Sequence, residues 1–289
     1  MKPAASAAGA PGARAAPLTF GGMLRSEWTK IRSLRSTLWT LVATVVLTIG
    51  TSALLAWAVS AHLEPSFLAD VDPVRDSMSG LMFGQLTIAV IGAVAITSEY
   101  STGTIRTTFT VVPRRVTVLT AKLTVLACVA LACGLFCSFV SFFIGQGFFA
   151  NATVTDRDGA ADTVTHLDLH VALSDPGVLR AVIGGGLYLA AGGLLALALG
   201  ALLRNTAAAI STAIGLLFVV PLLANFLPAA WESHVVKWLP TNAGSAVWTI
   251  RPTDGDNPML GPWTGYGVFV AYVLTALLAA AVLLRRRDT

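Results

Sequence analysis

Charged residues are scarce in this chain, and six long apolar runs contain none at all. Asp, Glu, Lys and Arg make up 12% of the 289 residues, whereas 55% of the residues are hydrophobic. A soluble domain of this length would need far more charge on its surface. This scarcity excludes an ordinary soluble domain and predicts a chain that crosses a membrane several times.

Each of the six runs is long enough to cross a bilayer as a helix. About 20 apolar residues span a hydrocarbon core of ~30 Å, at a rise of ~1.5 Å per residue. The runs do not alternate in the two-residue pattern of barrel strands. We therefore predict an all-α integral membrane protein whose six transmembrane helices are residues 38–60, 77–97, 123–149, 181–203, 207–228 and 263–284.

Basic residues collect on one side of the predicted membrane. With six spans both termini share a side, and that side holds 14 of the 19 Lys and Arg residues but 3 of the 15 acidic residues. The positive-inside rule places this side, and both termini, in the cytoplasm. The net charge of +4 therefore reflects topology, and we predict no nucleic-acid partner.

The segment before the first run divides into two parts. Residues 1–19 are rich in Ala, Gly and Pro and lack the apolar core of a signal peptide, which predicts a disordered cytoplasmic tail. Residues 20–289 are predicted to form one transmembrane domain. Apolar residues recur at helical spacing over residues 24–38, with basic residues between them. This pattern favours an interfacial amphipathic helix, although a plain continuation of the first span is the alternative.

Signatures of catalysis and of an internal energy source are also missing. The chain has no Gly-x4-Gly-Lys-Ser/Thr loop, so it cannot bind ATP in that manner, and it has no His-Glu-x-x-His, Gly-x-Ser-x-Gly or Cys-x-x-Cys motif. Gln85, Gln146 and Asn225 lie in the runs but cannot perform acid–base chemistry. We predict no enzyme and no cofactor in this chain. Proton-coupled transport is disfavoured because the runs contain no Asp, Glu or His; sodium coupling through backbone carbonyls stays open.

Two histidines before the fourth run could belong to a metal site. His166 and His170 are four residues apart, with Asp162 upstream, and on a helix they could bind zinc. The same residues also fit a solvent-exposed loop before the fourth run. Because no fourth ligand is evident, we predict no metal site. The three cysteines all lie in the third run, where we interpret them as small packing residues.

Two irregular features are expected near the fifth and sixth runs. Pro221 should kink the fifth run, with Asn225 one turn later to help satisfy the freed backbone groups. Residues 229–262 are too apolar for an ordinary loop and too short to span twice. We predict a re-entrant or interfacial helix within this segment.

The loop between the second and third runs has a distinct pattern. Glu99 stands where the apolar run ends, Gly103 permits a tight turn, and Pro113 can open the next helix. We predict a short cytoplasmic helix across this loop. Ile105 and Phe109, spaced i, i+4, would give it an apolar edge for a partner.

The same loop resembles that of ABC-2 type permeases, the membrane subunits of ATP-binding-cassette exporters. The matching residues are Glu99-Tyr100, Gly103-Thr104, Pro113-x-Arg115 and Lys122. Residues 26–30, Ser-Glu-Trp-Thr-Lys, and residues 239–244, Leu-Pro-Thr-Asn-Ala-Gly, are also similar to the form common in actinobacterial members. The resemblance extends from about residue 24 to residue 284.

The resemblance implies a permease in a bacterial plasma membrane that exports its substrate with energy from a separate ATPase subunit. That subunit would bind ATP and Mg, and two permease copies, identical or different, would pair in the lipid bilayer. The implied docking helix contains Glu27, Trp28 and Lys30. The implied ATPase-coupling residues are Glu99, Tyr100, Thr102, Gly103, Thr104, Ile105, Arg106, Phe109, Pro113 and Arg115.

Some implied roles keep alternatives. Glu99 would anchor the loop to Arg106 or to the docking helix, unless it is only a charge at the membrane edge. Gln85 and Asn225 are candidates for the substrate path, and packing hydrogen bonds explain them equally well. For the whole chain, the alternatives are a non-transporting membrane regulatory or immunity protein and an ion-coupled transporter.

Overall fold

The computed structural model describes residues 19–64, 68, 71–103, 115–156, 163–224, 226, 228, 234–250 and 259–286. Within these residues six helices are long and apolar enough to cross a membrane. The six predicted spans are thereby confirmed, with observed bounds Arg35–Ala61, Leu81–Ser101, Thr117–Phe149, Val178–Leu203, Thr206–Ala224 and Pro262–Leu283. The protein is a mostly helical membrane protein.

The elements follow one another along the chain as short and long helices with one small sheet. The helices are α1 Phe20–Ser33, α2 Arg35–Ala61, α3 Pro73–Ser77, α4 Leu81–Ser101, α5 Arg115–Phe149, α6 Val178–Leu203, α7 Thr206–Ile214, α8 Val220–Ala224, α9 Pro240–Ser245 and α10 Pro262–Arg286. A π-helical turn, Gly215–Val219, joins α7 to α8, and a 3-10 turn, Val236–Trp238, precedes α9. The strands are β1 Ala152–Asp156 and β2 Thr163–Leu167.

Helix α1 is separate from the first span. It begins at the cap Thr19, whose hydroxyl accepts a hydrogen bond from the Gly22 amide at 3.3 Å. It ends at Leu34, whose extended backbone (ψ 106°) breaks the helix before α2 starts at Arg35. The plain continuation of the first span is therefore not what forms. Placement of α1 at the membrane surface stays a prediction.

Helix α6 is the centre of the bundle, and glycines bring its neighbours close. A side chain at Gly92 of α4 would collide with the backbone carbonyl of Gly193, and one at Gly134 of α5 would lie 2.8 Å from the Gly186 oxygen. Small residues let membrane helices approach until their backbones touch. The glycines of α6 thus serve helix packing.

One end of the bundle, here called the hairpin end, contains a structure that the all-α prediction missed. β1 and β2 pair antiparallel, with Val154 opposite Thr165. Leu63, which follows α2, forms a parallel bridge to Val154. Thr and Val make up most of both strands and favour extended backbone. The nine polar or small residues between Val154 and Val164, however, indicate a loop. Part of the segment that was predicted to be a solvent-exposed loop before the fourth run forms this hairpin.

Gln146 holds the hairpin end together. Its side-chain nitrogen donates to the Pro73 carbonyl of α3 at 3.1 Å, and its oxygen accepts from the Val171 amide at 2.8 Å. The side chain is 3% exposed, so both of its polar atoms need partners within the protein. Gln146 therefore positions backbone segments rather than forming part of a site.

The fifth span departs from a regular α-helix at the π-helical turn that ends two residues before Pro221. Pro221 has no backbone N–H, so the Leu217 carbonyl, four residues earlier, lacks its helical donor. The Thr241 hydroxyl of α9 donates to that carbonyl. Helix α9 is largely buried and packs on α10. Asn225, predicted for this role, lies outside the described residues, and whether α9 is re-entrant or interfacial stays a prediction.

Candidate functional site

Four charged side chains meet at the end of the bundle opposite the hairpin. Lys30 Nζ lies 2.7 Å from Glu27 Oε1 and 2.8 Å from Glu99 Oε1. Lys122 Nζ lies 2.6 Å from Glu27 Oε2 and 3.0 Å from Glu99 Oε1. The four ion pairs form a closed ring in which each carboxylate binds both lysines. We call Glu27, Lys30, Glu99 and Lys122 the charged cluster.

Three helices supply the cluster. Glu27 and Lys30 are one helical turn apart on α1 and therefore share a face. Glu99 stands in the last turn of α4, and Lys122 lies in the second turn of α5. Because α4 runs toward this end and α5 runs away from it, the two meet here beside α1. The cluster thus ties the helix before the first span to the second and third spans.

Most of the cluster is shielded from solvent. Glu27 is 7% exposed and Lys122 is 6% exposed, while the Lys30 side chain is 41% exposed. Charges removed from water are tolerated only when they are paired with good geometry. Burial lowers the pKa of Lys30, but its hydrogen bonds to Glu27 and Glu99 and their negative charges outweigh this and raise the pKa above its ordinary value of 10.5. Lys30 is therefore protonated at neutral pH.

The structure shows one of the two partners considered for Glu99. The sequence left open an anchor to Arg106 or to the docking helix; Glu99 binds Lys30 of α1, and Arg106 lies outside the described residues. Lys122 was quoted only as part of a family pattern, and its role as a second partner was missed. The sequence contained a signal for this role: a lysine immediately before an uncharged run needs an acidic partner, and few acidic residues lie on that side.

The end of α4 shows the turn that the sequence predicted. Gly103 has φ +70°, a left-handed conformation that suits glycine, and the Thr102 hydroxyl donates to the Ser98 carbonyl at 2.9 Å. The ring of Tyr100 lies beneath Arg204, whose Cζ is 5.4 Å from the ring centroid. This cation–π contact links the end of α4 to the turn between α6 and α7.

Several predicted site residues cannot be placed. Thr104, Ile105, Arg106, Phe109, Pro113 and Asn225 lie outside the described residues, and so does the predicted short helix of this loop. Arg115 opens α5 by its backbone. Trp28 lies on α1 and is 47% exposed, as a residue that contacts a membrane or a partner would be.

Gln85 lies inside the helix packing of this chain. It is 1% exposed, and its Oε1 accepts a hydrogen bond from the Tyr188 hydroxyl at 2.6 Å. A Cβ at Gly192 of α6 would lie 3.0 Å from Gln85 Cγ. This burial supports the packing alternative for Gln85 over the substrate path.

The two histidines considered as metal ligands do not share a helix, and Asp162 lies outside the described residues. His166 lies on strand β2 rather than on a helix, and His170 lies in the exposed segment after it. The i, i+4 geometry assumed for zinc therefore does not form. Across the described residues, no three His, Cys, Asp or Glu side chains are grouped to hold a metal ion.

A cavity of about 430 Å³ adjoins the charged cluster. It lies between α1, the first turns of α2, the last three turns of α4 and the first turns of α5. All four cluster residues line it, together with five hydroxyl side chains and nine aliphatic ones.

Comparison with known families supports a membrane transport role. Residues 23–171 match the model of the ABC-2 family transporter protein domain. The matched region includes all four cluster residues and covers just over half of the 289 residues. A comparison with curated proteins found no significant match. The chain belongs to the ABC-2 transporter family and is a membrane permease of the ABC type.

Proposed function

We propose that this member of the ABC-2 transporter family is the permease subunit of an exporter driven by a separate ATPase subunit. The observation that carries the proposal is the charged cluster, which connects α1 to α4 and α5 by four ion pairs. An ATPase that hydrolyses ATP outside the membrane needs a rigid link to the spans. A buried ring of ion pairs between a surface helix and two spans supplies such a link.

The coupling follows from the packing. The ATPase would contact the face of α1 that carries Trp28, together with residues 104–114 of the loop. Closure of the ATPase would displace α1. Glu27 and Lys30 on α1 would then pull Glu99 of α4 and Lys122 of α5 with them, because the ion pairs resist separation. Helix α4 packs against α6 at Gly92 and Gly193, so these helices would move together. Close-packed elements transmit displacement as rigid bodies.

The cluster end would face the cytoplasm of a bacterial cell, with both termini on that side of the plasma membrane. The excess of basic residues on this side supports the orientation. ATP for the partner subunit is available there. Substrate would leave the cytoplasm, as the resemblance to ABC-2 type exporters implies.

A second permease copy would complete the pathway. Helices α2 and α10 present apolar surface, for example Trp39 at 72% and Leu278 at 66% exposure. Lipid or another membrane helix must cover such surface. We propose that part of it pairs with a second copy of the permease, identical or related.

The first test is purification of the tagged full-length chain in mild detergent, followed by mass spectrometry and an ATPase assay. We expect an ATP-binding-cassette subunit to co-purify and to hydrolyse ATP. A chain that is pure, folded and free of any ATPase would overturn the proposal in favour of a non-transporting membrane protein or an ion-coupled transporter.

The second test addresses the cluster. The co-purified complex is reconstituted into liposomes with the Glu99→Gln variant, in which a neutral amide of the same size replaces one carboxylate of the cluster. We expect ATP hydrolysis to fall at least about tenfold relative to the unaltered complex while the two subunits still co-elute. Glu64→Gln, which neutralises an exposed carboxylate near the hairpin end, serves as the matched control. Equal activity of both variants would contradict coupling through the cluster.

A further inference from the structure

The cavity beside the charged cluster has two chemically different parts. Its walls are aliphatic and come from α4 and α5, including Val90, Val94, Val125 and Val129. Its mouth is polar and contains Lys30 with the hydroxyl residues Ser36, Thr37, Ser98 and Thr102. A site that is polar at one end and apolar along its length fits an amphiphile rather than a water-soluble molecule.

The length of the apolar part matches one leaflet of a bilayer. Along α4 the lining extends from Glu99 to Val90, nine residues or about 13 Å at the helical rise. Half of a ~30 Å hydrocarbon core is ~15 Å. The cavity therefore begins at the membrane surface and ends near the bilayer midplane. An acyl chain of a lipid in that leaflet has this extent.

The charge around the mouth selects the lipid headgroup. Glu27 and Glu99 also line the cavity, but each is bonded to both lysines, so the cluster as a whole is neutral. Lys30 has three N–H donors, and two of them are directed to carboxylates. The third can reach a phosphate. Arg32 and Arg35 are both exposed and are neighbours in sequence of the lining residues Ile31, Leu34 and Ser36. Each basic residue near a membrane surface attracts anionic lipid.

We propose that the cavity binds one anionic phospholipid, with its phosphate at Lys30 and an acyl chain along Val90, Val94 and Val129. That the lipid belongs to the cytoplasmic leaflet rests on the orientation given under the proposed function. The bound lipid contacts α1, α4 and α5 together, which are the three helices of the charged cluster. It therefore fills the gap beside the coupling link, and movement of α1 depends on its presence.

The test uses the full-length chain alone, so it is independent of any ATPase. The purified, delipidated chain is titrated with dioleoyl-phosphatidylglycerol or dioleoyl-phosphatidylcholine and followed by native mass spectrometry and thermal unfolding. We expect one tightly retained phosphatidylglycerol per chain and a rise of at least about 3 °C in the midpoint. Phosphatidylcholine should give less than about half of this rise, since its headgroup carries no net negative charge.

Four variants locate the lipid: two inside the cavity, one control outside it and one at the headgroup. Val94→Phe and Val129→Phe add volume inside the cavity from two different helices, and either should abolish the retained lipid. Val46→Phe adds the same volume on a face of α2 where the native valine is 62% exposed, and it should retain the lipid. Lys30→Gln should weaken phosphatidylglycerol binding about tenfold, as expected for the loss of one charge-assisted hydrogen bond. It should weaken phosphatidylcholine binding less, because the choline cation already offsets the charge of the phosphate in that lipid.

The proposal is overturned if both cavity variants, folded by size exclusion and circular dichroism, retain phosphatidylglycerol as the unaltered chain does. Equal effects of the two lipids would overturn the assigned headgroup. A failure here would leave the proposed function intact, because ATPase co-purification is measured separately. Conversely, a missing ATPase partner would not affect lipid retention.

Discussion

Lys122 Nζ lies 2.6 Å from Glu27 Oε2, although 95 residues separate the two along the chain. Both side chains are buried, and the pair joins α1 directly to α5. Neither helix needs this contact for its own formation, because each has its own apolar face. The ion pair therefore determines where α1 sits relative to the spans, and its loss tests the cluster as a structural unit.

Lys122→Met should lower the thermal midpoint strongly. The variant keeps the side-chain length but leaves Glu27 and Glu99 with only Lys30 between them. Breaking a buried ion pair by removing one partner costs about 3–5 kcal/mol, because a buried charge is left uncompensated. Thermal unfolding of the purified chain measures the effect.

Lys30→Met is the matched control, since Lys30 binds the same two carboxylates but its side chain is 41% exposed. Solvent screens such a lysine, and we expect a loss below about 1 kcal/mol. Equal losses for Lys30 and Lys122 would show that burial does not govern the cluster.

The sequence predicted the six spans because each is an uninterrupted apolar run, and the bilayer leaves helices as the only way to satisfy so much backbone. It also placed Glu27, Lys30 and Glu99 at one end of the bundle. It offered the docking helix as one possible partner of Glu99, but it did not single out Lys30 or join Lys122 to Glu27. Ion pairs between residues 69 and 95 positions apart depend on how α1 folds back over α4 and α5.

Two further features depend on tertiary contacts that local patterns do not encode. Thr241 is an ordinary hydroxyl in the sequence, and only the position of α9 brings it to the carbonyl freed by Pro221. From the sequence alone, Gln85 is a polar residue in a span with no known partner. Its hydrogen bond to Tyr188 exists only because α6 packs beside α4. The hairpin was missed because its short strands show no regular alternation of apolar and polar residues.

Gly92→Ala should disrupt the packing of α4 on α6. The new methyl group would collide with the Gly193 carbonyl oxygen and lie 2.9 Å from its carbonyl carbon. Backbone cannot move aside as a side chain can, so we expect a loss of about 1–3 kcal/mol or more. Gly50→Ala, in α2, has no atom within 4 Å of the new carbon and should be neutral or slightly stabilising. Thermal unfolding of both variants in the same detergent makes the comparison; similar midpoints would contradict the close approach.

Thr241→Val should leave the Leu217 carbonyl without a donor. The replacement preserves shape, so the expected loss of about 1–3 kcal/mol reflects the unpaired buried oxygen. Pro221→Ala restores a backbone N–H four residues after Leu217, and the double variant should therefore recover part of the loss. A double-mutant cycle on thermal unfolding measures this coupling. Strictly additive effects would show that the Thr241 hydroxyl does not replace the donor that proline removes.

Asp76, in α3 near the hairpin end, should make stability depend on pH. Burial, and then the negative charge of Asp72, raise the pKa of Asp76 from 3.8 to about 6, although Arg75 opposes the shift. The folded chain therefore holds a proton more tightly than the unfolded chain does. Its free energy of unfolding consequently falls as pH rises from about 4 to about 6, and it then levels off as far as this group is concerned.

Asp76→Asn removes the ionisable group and keeps the side-chain shape. We expect the variant to exceed the unaltered chain in thermal midpoint at pH 7.5, with a difference that shrinks toward zero or reverses near pH 4. Glu64→Gln, which removes an exposed carboxylate at the same end, is the control for a general change in net charge. Midpoints measured at half-unit steps between pH 4 and pH 8 decide the question, because a difference that is constant across this range would mean that Asp76 ionises alike in the folded and unfolded chains.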